Sequence, residues 1–229
     1  MGLKENLNRI WLEIDAALKK NGRSRQDLHL IAVSKTRSLA EIKELYDLGQ
    51  LDFGENKAQE LRDKQPNLPN DIRWHMIGHL QSNKLKYVVG KCALIHSVDS
   101  LKLAREINEF AQKHQVSANI LLQLDIARDG KKQGFVEKEI NAAIEEIQTF
   151  SHVQVHGLMT IAPFGLSTDE NRQIFQRIKQ ISVDIQAKNY DNVNMNVLSM
   201  GMSNDFALAI EEGATHLRIG TAIFGERDY

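Results

Sequence analysis

Apolar residues Leu3, Leu7, Ile10, Trp11, Ile14 and Leu18 recur at steps of three and four, the single stripe of an amphipathic helix. After a turn at Asn21-Gly22 the pattern changes to the unbroken apolar run LHLIAVS (28–34), brief enough to read as a strand buried on both faces. From there the two patterns alternate. Strand-like runs fall at 51–56, 72–78, 92–99, 119–125, 153–160, 194–200 and 215–220. Helical stretches lie between them at 38–49, 56–64, 101–114, 135–150, from Thr168 onward, and at 203–213. The helix from Thr168 sets Ile174, Phe175, Ile178, Ile181 and Ile185 on one face. Gly49 and Gly213 stand where helices stop, and Asp99 or Ser100 is placed to cap the helix that follows.

Eight strand segments, each followed by helix or helix-like sequence with no Pro/Gly/Ser linker between them, predict right-handed parallel units in one domain spanning 1–229. Eight such units fit a (β/α)8 TIM-type barrel, here with an extra N-terminal helix. A doubly wound open sheet is the runner-up, but no G-x-G-x-x-G follows the first strand. The stripe at 3–18 is expected to cover the barrel flank, a homodimer contact being the alternative.

Composition narrows the function. Lys plus Arg is 29 and Asp plus Glu 30, a net charge of −1 over 229 residues, which offers no broad field for nucleic acid or anionic membrane. No run approaches the roughly 20 apolar residues of a membrane span, and the opening residues read as amphipathic helix rather than a secretory leader. The one cysteine, Cys92, leaves no partner for a disulfide and no thiolate metal cluster, pointing to a cytoplasmic protein. His75 with His79, and His152 with His156, show no third ligand, so no metal site is expected.

Candidate chemistry collects where strands end, the face that carries the site in such barrels. Polar and glycine residues crowd those ends, while the strands between them read as apolar. Lys35 ends the first strand directly after apolar LIAV; partial desolvation there favours the neutral, nucleophilic amine. A lysine snorkelling from the rim, or paired with Glu55, is the structural alternative. Ser199 and 201–203 at the seventh strand end, with Gly220-Thr221 at the eighth, suit a phosphate on helix N-termini. Helix capping by Ser203 and Thr221 is compatible with that. Arg218, inside the last strand, needs an acceptor, with Glu55 or Asp125 the candidate ion-pair partners.

Ala32-Val33-Ser34-Lys35-Thr36, Phe53-Gly54-Glu55-Asn56, Trp74-His75-Met76-Ile77-Gly78-His79-Leu80-Gln81-Ser82-Asn83-Lys84, Gly157-Leu158-Met159, Ser199-Met200-Gly201-Met202-Ser203 and the run from Arg218 to Arg227 occur in that order. Together they resemble the pyridoxal-phosphate homeostasis proteins, single-domain relatives of the alanine racemase barrel, and the similarity extends from the N-terminal helix to Tyr229. The resemblance implies that Lys35 holds pyridoxal 5′-phosphate (PLP) as a Schiff base. It implies that Ser199, Gly201, Ser203, Gly220 and Thr221 surround the phosphate, Arg218 faces the pyridine nitrogen, and Asn56 and His79 line the pocket. The fifth-strand loop departs from the family at Asp125, where asparagine is more usual, while Lys132 and Gly134 fit.

PLP chemistry draws on a protonated ring nitrogen as electron sink. Arginine only donates, so opposite that nitrogen it keeps the ring unprotonated and weakens the sink. Racemisation also wants a second acid/base, which the racemases take as a tyrosine from a second domain. Of Tyr46, Tyr87, Tyr190 and Tyr229, none sits at an expected strand end. The residues therefore favour binding PLP over turning over an amino acid, with no catalytic residue expected. The resemblance implies a role in intracellular PLP homeostasis, passing PLP to PLP-dependent apoenzymes and acting indirectly on amino- and keto-acid pools, and a monomer or weak homodimer is expected. A weak amino-acid racemase is the alternative; a Schiff-base aldolase that binds no PLP is a third reading.

Overall fold

The computed structural model describes residues 2–126 and 133–226. Lys131, Lys132 and Tyr229 lie outside the described residues.

Helix α1 (Leu3–Lys20) buries Leu7, Ile10, Ile14 and Leu18. Eight strands follow: β1 (His29–Val33), β2 (Asp52–Glu55), β3 (Arg73–Met76), β4 (Leu94–Val98), β5 (Ala118–Gln123), β6 (Val153–Met159), β7 (Val193–Ser199) and β8 (His216–Ile219). All neighbouring pairs are parallel, and β8 returns to β1 through His29↔His216, Leu30↔Leu217, Ile31↔Arg218 and Ala32↔Ile219, closing the barrel. Closure leaves no edge strand. Each strand predicted from the hydrophobic pattern is present, shortened or shifted by a residue or two.

The connecting helices are α2 (Leu39–Asp47), α3 (Ala58–Lys64), α4 (Leu101–Lys113), α5 (Glu137–Ile147), α6 (Thr168–Gln186), α7 (Phe206–Glu211) and α8 (Thr221–Phe224), with a 3-10 turn at Ser82–Tyr87 between β3 and β4. Local chemistry sets their ends. Ser38 with Glu41, and Ser167 with Glu170, form reciprocal capping boxes, and Ser100 accepts from the Leu103 amide. Gly49 and Gly213 take left-handed φ just past α2 and α7. α6 buries Ile174, Phe175, Ile178, Ile181 and Ile185, the stripe read from the sequence.

α1 packs against α7, α8 and α2. Asn6 Nδ2 donates to the Ile223 carbonyl at 3.0 Å, and Arg23 reaches the carbonyls of Ile210 and Ala214. The stripe covers the flank beside the last two units, so its apolar face is spent within the chain. Among the described residues no helix is long and apolar enough to cross a membrane.

The interior differs from the apolar strands expected. Leu94, Leu121 and Met159 form a small apolar cluster apart from the main core. Asp52, His75, His96, Ser199, His216 and Arg218 are buried polar residues on the same barrel strands. β6 also bulges at Gly157, where the register slips against both neighbours. Its φ is +151°, and a Cβ there would stand 1.8 Å from the Val197 carbonyl oxygen. Only glycine allows that approach. Gly157→Ala is expected to destabilise the protein by about 3 kcal/mol or more in urea unfolding; an unchanged midpoint would mean that β6 does not close on β7 at this point.

Candidate functional site

Because every strand runs the same way, the residues that follow them share one rim. Lys35 follows β1, Asn56 follows β2, His79 follows β3, Asp125 follows β5, Gly201 and Ser203 follow β7, and Gly220 and Thr221 follow β8. The topology therefore brings the sequence-derived candidates to one end of the barrel. A cavity of about 590 Å³ lined by Arg23, His29, Lys179 and His216 opens at the opposite end, away from these residues.

Lys35 is half-buried and stands on a constrained turn. Thr36 has φ +63°, a left-handed conformation that strains a β-branched residue by roughly 1 kcal/mol or more. The Thr36 amide donates to Glu60 Oε2 at 2.7 Å, which holds the turn. Lys64 Nζ binds Glu60 Oε2 at 2.8 Å, Glu55 Oε1 at 2.8 Å and the Ser34 carbonyl at 2.9 Å. Ser34 Oγ donates to Glu55 Oε1 at 2.6 Å. Glu55 is thus engaged by Ser34 and Lys64, both beside the Lys35 turn. Its Oε2 is buried and has no hydrogen-bond partner among the described residues. Burial pushes the Glu55 carboxyl up to about 7, against the opposing pull of Lys64 and Ser34.

At the far side, Arg218 is 5% exposed. Nη1 donates to Ser199 Oγ at 2.5 Å and Nη2 to the Thr160 carbonyl at 2.8 Å. Neither acceptor is charged, so the ion pairs with Glu55 or Asp125 considered from sequence do not form. Burial lowers Arg218 to about 10, with the Asp205 carboxylate opposing the shift. Among the described residues two of its five N–H donors are used, leaving three for another acceptor. Ser199 Oγ also meets His96 Nδ1 at 2.8 Å, so its hydroxyl is committed inside the barrel.

The β7 and β8 loops touch: the Ala222 amide donates to Ser203 Oγ at 3.4 Å. α7 begins only at Phe206, so Ser203 is not its cap; Asp205 occupies that position and accepts the Met202 amide at 2.6 Å. Gly201 has φ +92°, and a Cβ there would meet the Ala209 Cβ at 2.6 Å. Among the described residues the amides of Gly220 and Thr221 have no acceptor. This is a cradle of donors suited to an oxyanion.

The β2 and β3 loops are tied together, since a Cβ on Gly78 would stand 2.4 Å from the Asn56 carbonyl oxygen. His79 is exposed, and its Nδ1 lies 3.1 Å from Asp99 Oδ2. The sequence pattern does not single out Asp52, His96 and His216, and His75 enters it only within the Trp74–Lys84 motif and as a metal-ligand candidate. The available signal was period two: Asp52, His75, His96, Ser199 and Arg218 are polar interruptions of apolar strands.

The fold and rim define a class. Residues 6–228 match the family model "Alanine racemase, N-terminal domain". An alanine racemase of Clostridium difficile 630 shares the fold with a TM-score of 0.78 at 17% identity, over all of this chain and 57% of the racemase chain. Closer relatives are more specific. The chain is 39% identical over 230 residues, all of both proteins, to the pyridoxal phosphate homeostasis protein of Aquifex aeolicus. The structure of PipY of Synechococcus elongatus PCC7942 with PLP bound matches with a TM-score of 0.86 at 35% identity, over 97% of this chain and all of that one. The protein belongs to the pyridoxal phosphate homeostasis protein family.

The raised Glu55 gives a pH signature. An ordinary glutamate near 4.5 titrates in the unfolded chain, whereas in the fold protons leave only near 7. Between those values the native state binds more protons, so this group's contribution is fully present below about pH 4.5 and is lost as pH rises through 7. Unfolding free energies at pH 5 and pH 7.5 should show the wild type losing up to a few kcal/mol relative to Glu55→Gln over that interval. Parallel pH profiles for the two proteins would remove Glu55 from the account.

Proposed function

We propose that this chain, as one PLP-binding barrel domain over 1–229, holds PLP covalently through the ε-amine of Lys35 and serves PLP homeostasis in the cytoplasm. PLP, when bound, supplies a reactive aldehyde that condenses with amines. The observation that carries the reading is the buried Arg218, with only neutral acceptors and three donors in hand, on the barrel whose rim also carries Lys35 and the oxyanion cradle.

The chain's own residues divide the work. Gly201, Ser203, Gly220 and Thr221 hold the phosphate through backbone amides and the Ser203 hydroxyl. Arg218 donates to the ring nitrogen and keeps it unprotonated, because a guanidinium does not give up its proton there. Ser199 orients Arg218. Asn56 and His79 line the rim, and the Glu60–Lys64–Glu55 cluster fixes the turn that presents Lys35. A site that binds the cofactor while weakening its electron sink suits storage and delivery to PLP-dependent apoenzymes, with indirect effects on amino- and keto-acid pools. The buried α1 stripe favours a monomer over a dimer built on that face.

The test is a visible absorbance spectrum of purified protein with PLP, before and after borohydride, followed by peptide mapping. A reduced PLP adduct on Lys35 is expected, and Lys35→Ala should lose it while keeping its circular dichroism. A protein that stays colourless with PLP present sinks the reading and promotes an aldolase.

A weak racemase is the second reading, and His79 oriented by Asp99 on the same rim favours it. Incubation of the PLP-loaded protein with L-alanine should produce no D-alanine above a PLP control. Turnover abolished by His79→Gln would reverse that conclusion.

A further inference from the structure

TIM-barrel interiors are ordinarily filled by branched apolar side chains, and buried polar groups are costly unless fully hydrogen-bonded. Five strands here contribute instead to one continuous chain. Asp52 Oδ1 lies 3.0 Å from His75 Nε2, and His75 Nδ1 lies 2.9 Å from His96 Nε2. His96 Nδ1 lies 2.8 Å from Ser199 Oγ, which Arg218 Nη1 meets at 2.5 Å. None of these five residues is more than 5% exposed. At the outer end Arg73 grips Asp52 through Nε and Nη2, both at 2.6 Å.

The two ends fix every proton between them. A guanidinium only donates and a carboxylate only accepts. Burial disfavours ionised Asp52, but hydrogen bonds from Arg73, His29 and His75 outweigh it and hold the carboxyl well below the usual range. Burial keeps His75 and His96 neutral, each with one N–H. Asp52 therefore receives His75 Nε2–H, His75 Nδ1 receives His96 Nε2–H, His96 Nδ1 receives the Ser199 hydroxyl, and Ser199 Oγ receives Arg218. All four donors point toward Asp52, the arrangement in which successive bonds polarise one another.

We propose that Asp52, His75 and His96 are positioning residues for the cofactor, holding the Ser199 hydroxyl as a fixed acceptor so that Arg218 presents its remaining N–H groups in one orientation to the PLP ring. This rests on the reading that Arg218 faces that ring. The Ser199 side chain consequently serves Arg218 and not the phosphate. The register of β8 on β1 places Arg218 below the Lys35 turn, so the orientation of the guanidinium is set from inside the barrel, beneath the rim loops.

Two measurements separate this proposal from the one it rests on. In the protein without PLP, side-chain nitrogen NMR should show His75 and His96 both as neutral Nε2–H tautomers. An Nδ1–H ring at either position overturns the directed chain, whatever PLP does. In the loaded protein, His96→Leu should shift the visible band and speed PLP release roughly tenfold, the size of effect expected if releasing the Ser199 hydroxyl costs the charged Arg218 one hydrogen bond. His96→Gln, whose amide offers one donor and one acceptor, should restore both. Ser199→Ala should reproduce the His96→Leu spectrum and serves if that variant does not fold. Wild-type spectrum and release rate in both His96→Leu and Ser199→Ala, or in Ser199→Ala alone if His96→Leu fails to fold, would overturn the proposal while leaving PLP binding intact. Failure of the wild type to take up PLP would instead overturn the functional reading.

Discussion

Barrel closure is the constraint on which the rest depends. Four register pairs between β1 and β8 join the first strand to the last, and one of them sets Ile31 beside Arg218. The strand that delivers Lys35 is thereby bonded to the strand that delivers Arg218 and, two residues further on, Gly220. Parallel strands all reach the same rim, so one closing contact turns residues nearly two hundred positions apart into neighbours around a single mouth.

Rigid parts surround that mouth for identifiable reasons. The left-handed Thr36 persists because Glu60 accepts its amide, Lys64 holds Glu60, and Lys64 is itself seated on Glu55 and the Ser34 carbonyl. Strain at Thr36 is thus offset by a buried ionic cluster on the outer side of β1 and β2. The inner side is governed by a different economy: buried polar residues satisfy one another in sequence, from Arg73 at one end of the barrel to Arg218 below the other. The two networks flank the same strand end, and the outer one holds the residues on either side of Lys35, Ser34 and Thr36, by hydrogen bonds.

The rim and the barrel beneath it are rich in hydrogen-bond donors. Arg218 is buried among neutral acceptors, Ser199 Oγ and the Thr160 carbonyl, and donates to both. The amides of the β7 and β8 loops and the His79 imidazole, set against Asp99, add to that rim. The proposed reading of a cofactor-holding site rests on this balance of donors.

Hydrophobic period alone determined the element order, the extra helix and the barrel, because eight buried parallel strands must read as apolar runs and their helices as one-sided stripes. Residues at strand ends were legible for the same reason: a polar cluster that ends an apolar run stands out, as Lys35, Asn56, Gly201 and Thr221 do. Tertiary structure decided what sequence spacing cannot encode. Glu55 could have met Lys35, but the fold gives it Lys64; Arg218 could have sought a carboxylate, but the fold gives it Ser199. Asp52, His75 and His96 are separated by more than twenty residues at each step, and only closure of the barrel turns them inward onto one another. A hydrogen bond is made at about 3 Å in space, and distance in space across a barrel is invisible to a pattern read along the chain.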